Sequence, residues 1–270
     1  HKEYRRQRQM CIRDRFERRG PKLSLTEHGR LLAQELKVGF KIIENACALL
    51  RQDRYGLRLK APSTLTVRWL LRALDAFKKV EDNCSVQLSS VWMDIDSVDF
   101  YSEPYDCAIL LASGRFPADI ESFKLFDEWL IPVCHPDYMT QAQPQLSDLP
   151  RCEFLHPSPD RRDWRRWLAR MDALDISIDQ GQVFDTLDQG ISAAQQGLGI
   201  SVVDLVLAST DLAAGRLVTP FKHAVATGDG YYMTWLKASP KARQMHKLRD
   251  FLLGQVPVSY THLTLPTILL

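Results

Sequence analysis

The chain has 270 residues, enough for one large or two ordinary domains, and its 45% apolar and 25% charged residues are typical of a water-soluble globular protein. No run of 18 apolar residues occurs, which excludes a membrane-spanning helix, and no apolar segment near the start reads as a signal peptide. The net charge of +2 is uneven: residues 1–22 hold nine Lys/Arg against three acids, a local +6, so nucleic-acid contact is expected at one end only.

The first and last segments, 1–14 and 258–270, carry no usable periodicity and are expected to be non-native, like appended sequence. After Pro21, Leu23-Ser24-Leu25 reads as a short strand and Thr26 as a helix N-cap, with Glu27 in the first turn where the helix dipole favours an acid. Leu32, Leu36, Phe40, Ile43, Cys47 and Leu50 then step by four, four, three, four and three. That narrow apolar seam suits a helix that pairs with another helix, or else one that faces a globular core. The helix is expected to reach about Arg51, with Gly56 closing the junction.

Beyond Gly56 strands and helices alternate. Strands are predicted at Leu57–Ala61, Ser85–Ser89, Asp106–Leu111, Glu153–His156, Gln182–Phe184, Gly199–Val203 and Tyr231–Leu236, and apolar runs at Phe123–Phe126 and Trp129–Cys134. Helices are predicted at Thr64–Lys79, Arg161–Met171, Thr186–Gln196 and Lys241–Leu253. The fold class that follows is α/β, a mainly parallel, doubly wound sheet divided into two linked lobes with a cleft between them.

Motifs for catalysis and cofactors are missing. There is no GxxxxGK[ST] loop, no GxGxxG between a strand and a helix, no HExxH and no GxSxG elbow. Cys11, Cys47, Cys84, Cys107, Cys134 and Cys152 form no CxxC pair, so they read as reduced, buried thiols of a cytoplasmic protein. Gly197-Leu198-Gly199 reads as a helix stop, and in residues 161–167 the tryptophans are expected to face the core and the arginines the solvent. No enzyme, metal or cofactor is expected. Two strand-to-helix junctions remain, Ala61-Pro62-Ser63-Thr64 and Phe184-Asp185-Thr186, whose hydroxyls and free amides favour a carboxylate or serve simply as caps.

Several of these stretches, taken in order, resemble LysR-type transcriptional regulators. Phe16-Glu17-Arg18-Arg19-Gly20 with Leu25-Thr26-Glu27-x-Gly29 is similar to the wing and following helix, and Leu57–Phe77 to the start of the effector-binding domain. Gly114-Arg115-Phe116-Pro117, Glu128-x-Leu130-x-Pro132-Val133-Cys134-x-Pro136 and Trp164-x-x-Trp167-Leu168 resemble the branch that includes the glycine-cleavage activators. Ala193-Ala194-x-x-Gly197-Leu198-Gly199 matches a late helix–strand turn. The resemblance covers residues 16 to about 257.

It implies a remnant of a winged helix-turn-helix at 15–25, whose recognition helix is expected to lie outside this chain, with Arg18, Arg19 and Lys22 as DNA backbone contacts. A linker helix at 26–55 would dimerise, and a two-lobed, periplasmic-binding-protein-like effector domain would occupy 56–257. Its lobes are expected at about 56–132 with 237–257 and at about 133–236. Effector contacts are implied near Thr64, Met93 and Thr186, with Ser63, Trp92 and His156 completing the lining. The implied partners are promoter DNA, a small organic or amino acid and further copies of the chain, with no membrane. A solute-binding protein of a transporter shares the two-lobed fold and is the alternative; an α/β enzyme is a third, weaker reading.

Overall fold

The computed structural model describes residues 15–19, 22–51, 56–82, 84–91, 98–139, 144–256 and 267–269. Two compact units emerge, one of residues 1–54 with 99–104 and one holding the rest.

The first unit contains a hairpin and a long helix. Strands β1 (Phe16–Arg19) and β2 (Lys22–Leu25) pair antiparallel, Arg19 opposite Lys22 and Phe16 opposite Leu25. Helix α1 runs Glu27–Arg51. Thr26 caps it as expected, its Oγ1 accepting from the Gly29 amide at 3.0 Å. The Thr26 amide in turn donates to the Arg15 carbonyl at 3.0 Å. This approach is why residue 29 is glycine: a Cβ there would stand 2.0 Å from the Arg15 carbonyl oxygen. Along the seam Leu32, Leu36, Phe40 and Ile43 are exposed; the side chains of Cys47 and Leu50, at its far end, lie outside the described residues.

The second unit is built on a nine-stranded mixed sheet of order β4-β3-β5-β10-β6-β9-β7-β8, with β11 beside β10. Strands β3 (Gly56–Pro62), β4 (Ser85–Val91) and β5 (Cys107–Ala112) pair in parallel at one end. Strands β7 (Phe154–His156), β8 (Gln182–Val183) and β9 (Ile200–Asp204) do so at the other. Between them lie two strands of 14 residues, β6 (Ile120–Val133) and β10 (His223–Leu236). The centre departs from the expected parallel sheet, because β6 and β10 run antiparallel to each other, β10 to β5 and β6 to β9. The register between them slips between Ala226 and Gly230, so both strands pass from one half of the sheet to the other through an irregular middle. Strand β11 (Thr267–Leu269) pairs with His223–Val225; residues 1–14 and most of 258–270 lie outside the described residues.

Helices within the second unit flank these strands. After β3 one helical stretch comprises a turn at Ser63–Leu65, a π-helical segment at Thr66–Leu70 and α2 (Leu71–Val80). Then come α3 (Arg162–Arg170), α4 (Leu187–Gln195), α5 (Leu205–Ala213) and α6 (Ala242–Gln255). Helix α5 and the first half of β10 have no counterpart in the sequence prediction, and the two runs predicted at 123–134 belong to one strand. The sheet divides two apolar clusters. One joins the helical stretch after β3 to α4, α5 and α6 through Leu70, Phe77, Leu187, Ile191, Leu207 and Leu248. The other packs Trp164 and Trp167 of α3 on Phe154 and Phe221, each indole donating to a carbonyl, Leu155 at 3.1 Å and His223 at 2.9 Å.

Candidate functional site

Helix α4 starts with a capping box. Thr186 Oγ1 accepts from the Gln189 amide at 3.3 Å, and Gln189 Oε1 accepts from the Thr186 amide at 3.2 Å and from the Asp185 amide at 3.1 Å. The next free donor of that first turn, the Asp188 amide, is met from the other end of the sheet: Thr64 Oγ1 accepts it at 3.1 Å. The two helix starts singled out by their hydroxyls are therefore joined directly. At the opposite end α4 stops on Gly197 at φ +75°, with the Leu198 amide donating to Ala193 and the Gly197 amide to Ala194, so this glycine pair is a helix stop.

Beside this junction lies a charged bridge. The π-helical segment carries Arg68, whose Nε donates to Asp188 at 2.6 Å and whose Nη1 donates to Asp211 on α5. Asp211 is buried and also accepts from the Arg216 Nε at 2.8 Å, so one carboxylate holds two guanidinium groups. Asp188 places a negative charge in the first turn of α4, where it suits the helix dipole.

Ser63 contrasts with Thr64. The stretch it opens follows Pro62 and has no side-chain cap, and Ser63 Oγ is buried with no partner among the described residues. A buried hydroxyl left without a partner costs about 1–3 kcal/mol, which a ligand's polar group would recover.

His156 ends β7, and its carbonyl accepts from the Phe184 amide at 2.9 Å, which ties its backbone to the loop leading into α4. The ring turns the other way. It stacks on Phe154 at 6.1 Å, on the face packed by α3, while Leu155 between them joins the cluster of α4. Its Nε2 donates to the Gln180 carbonyl at 2.8 Å, so Nδ1, buried and unpartnered, is left as an acceptor. Burial pushes the imidazole pKa down, only partly offset by the Gln180 bond, and the ring is neutral near pH 7. Of the six expected lining residues, Ser63, Thr64 and Thr186 come together around the start of α4, and His156 reaches it with its backbone alone. Trp92 and Met93 lie outside the described residues.

The arginines at 161–167 are less free than helical spacing suggests. Trp164 and Trp167 are fully buried, as expected, but Arg166 reaches Glu128 at 3.4 Å and Asp229 at 3.1 Å. Glu128 is a buried acid inside β6, a position that pattern alone gives to an exposed residue. Arg68, Asp188 and Asp211 likewise form a group that local spacing does not reveal, although Arg68 lies within the Leu57–Phe77 stretch of the family likeness.

A two-ended sheet crossed by two shared strands, with helix starts meeting from both ends, defines a two-lobed effector-binding domain of the periplasmic-binding-protein type. Residues 51–257 match the LysR substrate binding domain, and the chain belongs to that family. It is 26% identical over 244 residues to the glycine cleavage system transcriptional activator of Escherichia coli K12, covering 89% of this chain and 78% of that protein. It is 27% identical over 248 residues to the transcriptional regulator TrpI of Pseudomonas aeruginosa, covering 88% and 82%. Among solved structures, the effector domain of AmpR from Pseudomonas aeruginosa superposes with a TM-score of 0.62 at 26% identity, over 78% of this chain and 98% of that one. Full-length AphB of Vibrio cholerae shares the fold, with a TM-score of 0.61 at 20% identity over 93% and 89%. These relatives are transcriptional regulators, which favours the regulator over the transporter receptor and the enzyme. No helix among the described residues is long and apolar enough to cross a membrane.

Proposed function

We propose that this chain is the ligand-sensing and self-associating part of a cytoplasmic LysR-type regulator that acts on promoter DNA. In this reading the hairpin at 15–25 is the wing, and the helix within 26–55 is the dimerising linker. Residues 56–257 form the effector domain, with lobes of about 56–132 plus 237–257 and about 133–236.

The effector is a small organic or amino acid that binds where the start of the helical stretch at Ser63 meets the start of α4. The observation that carries this is Ser63: a buried, unpartnered hydroxyl at an uncapped helix start, one residue from the Thr64–Asp188 bond. Two first-turn amides of α4 are already bound by Thr64 and Thr186, so the effector carboxylate belongs at the Ser63 start rather than at that of α4. A ligand there touches both ends of the sheet and shifts the balance between their arrangements only as far as it binds one better.

Thermal shift across a library of small organic and amino acids, run on wild type, Ser63→Ala, Thr64→Val and Thr186→Val, tests the site. A compound that stabilises wild type should lose much of its effect on Ser63→Ala. One that stabilises all four proteins equally places the effector elsewhere.

A further inference from the structure

Strand β10 is paired differently along its two sides. On one side β6 accompanies it from Val225 to Leu236. On the other, β5 pairs only with Gly230–Thr234, because its last pair is at Ala112 and the chain turns away at Gly114, φ +83°. The first residues of β10, His223–Val225, therefore present their second side to a gap in the sheet. Thr267–Leu269 fills that gap: these residues lie parallel to β10, opposite His223, Ala224 and Val225 in turn. No other described strand pairs with β10 there.

The sequence does not guard this edge. Natural sheets blunt open edges with charges or prolines, among other devices. Residues 223–228 read HAVATG, with no Lys, Arg, Asp, Glu or Pro. The edge is also apolar on both faces. Successive side chains of a strand point to opposite sides, and Ala224 belongs to the cluster of α4, α5 and α6 while Val225 belongs to that of α3. The start of the strand is held in place by the Trp167 indole, which donates to the His223 carbonyl at 2.9 Å. A fixed edge between two apolar layers selects a strand with no charge on either face. β-Branched residues suit such a place, because they pack well on a pleated surface.

We propose that the His223–Val225 edge docks an extended, uncharged, β-branched segment of a partner protein as an added parallel strand. Residues 258–270 read as appended sequence, so the seat of 267–269 on β10 reports what this edge accepts rather than a strap native to the fold. Backbone pairing supplies the affinity, and the two apolar layers supply the selectivity. The contact spans three residues, so it is weak and exchangeable. Docking here is independent of the Ser63–Thr186 site.

Fluorescence anisotropy with a labelled peptide of residues 264–270, TLPTILL, tests it. The full chain is used as wild type and as a variant carrying both Ile268→Pro and Leu269→Pro. Two successive prolines remove the ladder donor whichever of the two amides faces β10, so the edge of the variant is vacant. The peptide should bind the variant saturably, and wild type about tenfold or more weakly, because wild type fills its own edge. Two further peptides are N-methylated, one at the residue matching Ile268 and one at that matching Leu269. One should lose binding and the other keep it, since only alternate amides face the neighbouring strand. Adding Ser63→Ala to the variant should change nothing. Should the variant not fold, hydrogen exchange on wild type decides: excess peptide should speed exchange at residues 267–269 by displacing them. Absence of binding, equal effects of the two methylations, or unchanged exchange in wild type overturns the proposal. A variant that sediments larger than wild type, and shrinks in excess peptide, makes a second copy the occupant and overturns the partner assignment.

Discussion

Thr64 and Asp188 are 124 residues apart, yet the hydroxyl of one accepts the backbone amide of the other at 3.1 Å. Thr64 is fully buried and the amide belongs to the first turn of α4, where helix donors have no partner of their own. Thr64→Val keeps the shape and removes the acceptor. The expected cost is about 1–2 kcal/mol, the range for losing a helix cap or leaving a buried donor unpaired. Urea denaturation should show a lower midpoint with an unchanged slope.

The bridge made by Arg68 is the second test. Arg68→Gln removes the cation that joins Asp188 of α4 to Asp211 of α5. Asp211 keeps Arg216, so the buried carboxylate is not stranded. The loss should be about 1.5–3 kcal/mol, the range for hydrogen bonds to charged groups, rather than the larger penalty of an unpaired buried charge. A double-mutant cycle with Asp188→Asn should show coupling, because the two side chains touch at 2.6 Å.

How much of this could be read beforehand depended on the range of the interaction. The Thr26 cap, the α1 helix and the Gly197 stop rest on neighbours within a turn, and each was legible from spacing. Helix α5 was not: LVLASTDLA follows the fully buried strand ISVVD with only Asp204 between the two apolar runs, and that cap is itself buried. The first half of β10 was hidden by Gly228 and Gly230, which resemble a turn but belong to an irregularity within one strand. The apolar pattern of β6 was split by Asp127-Glu128, although Glu128 is buried and pairs with Arg166. At the candidate site the sequence marked the two hydroxyl-bearing helix starts; that Thr64 binds the amide of Asp188 is a tertiary fact which no local spacing encodes.

Helix α1 yields the third prediction. Leu36, Phe40 and Ile43 are 49%, 62% and 58% exposed along one seam, an apolar stripe of the kind that pairs helices. Phe40→Glu puts a charge in the middle of that stripe without disturbing a packed core. Sedimentation should show wild type self-associating at micromolar concentrations and the variant shifted towards monomer, with helical content retained. A wild-type chain that sediments as a clean monomer while α1 stays helical contradicts the dimerising role.

The hairpin gives the fourth. Arg19 stands opposite Lys22 and Arg18 beside it in β1, so three basic positions are gathered in one short hairpin. If they meet DNA phosphates, each contact contributes about 0.9 to the slope of log affinity against log salt concentration. Replacing Arg18, Arg19 and Lys22 with Gln should weaken duplex binding uniformly across sequences and flatten that slope by roughly two to three. An unchanged slope removes these residues from the DNA contact.

The last prediction concerns pH. Burial first, and repulsion from Glu128 second, push Asp204 up to about 8 and Asp163 up to about 7, against about 3.9 for an aspartate in an unfolded chain. Between those values the folded protein binds more protons than the unfolded one, so these two groups make stability fall as pH rises from about 4 to about 8. His156 acts oppositely and lower on the scale: its pKa is depressed by burial, so its contribution is lost as pH falls below about 6.5. Stability should therefore decline from about pH 6.5 towards pH 8. Asp163→Asn removes one of the two acids. Its unfolding free energy, measured by urea at successive pH values, should fall less steeply than that of wild type up to about pH 7, by at most about 1.4 kcal/mol per pH unit. Parallel pH profiles for the two proteins would mean that Asp163 is already ionised throughout that range.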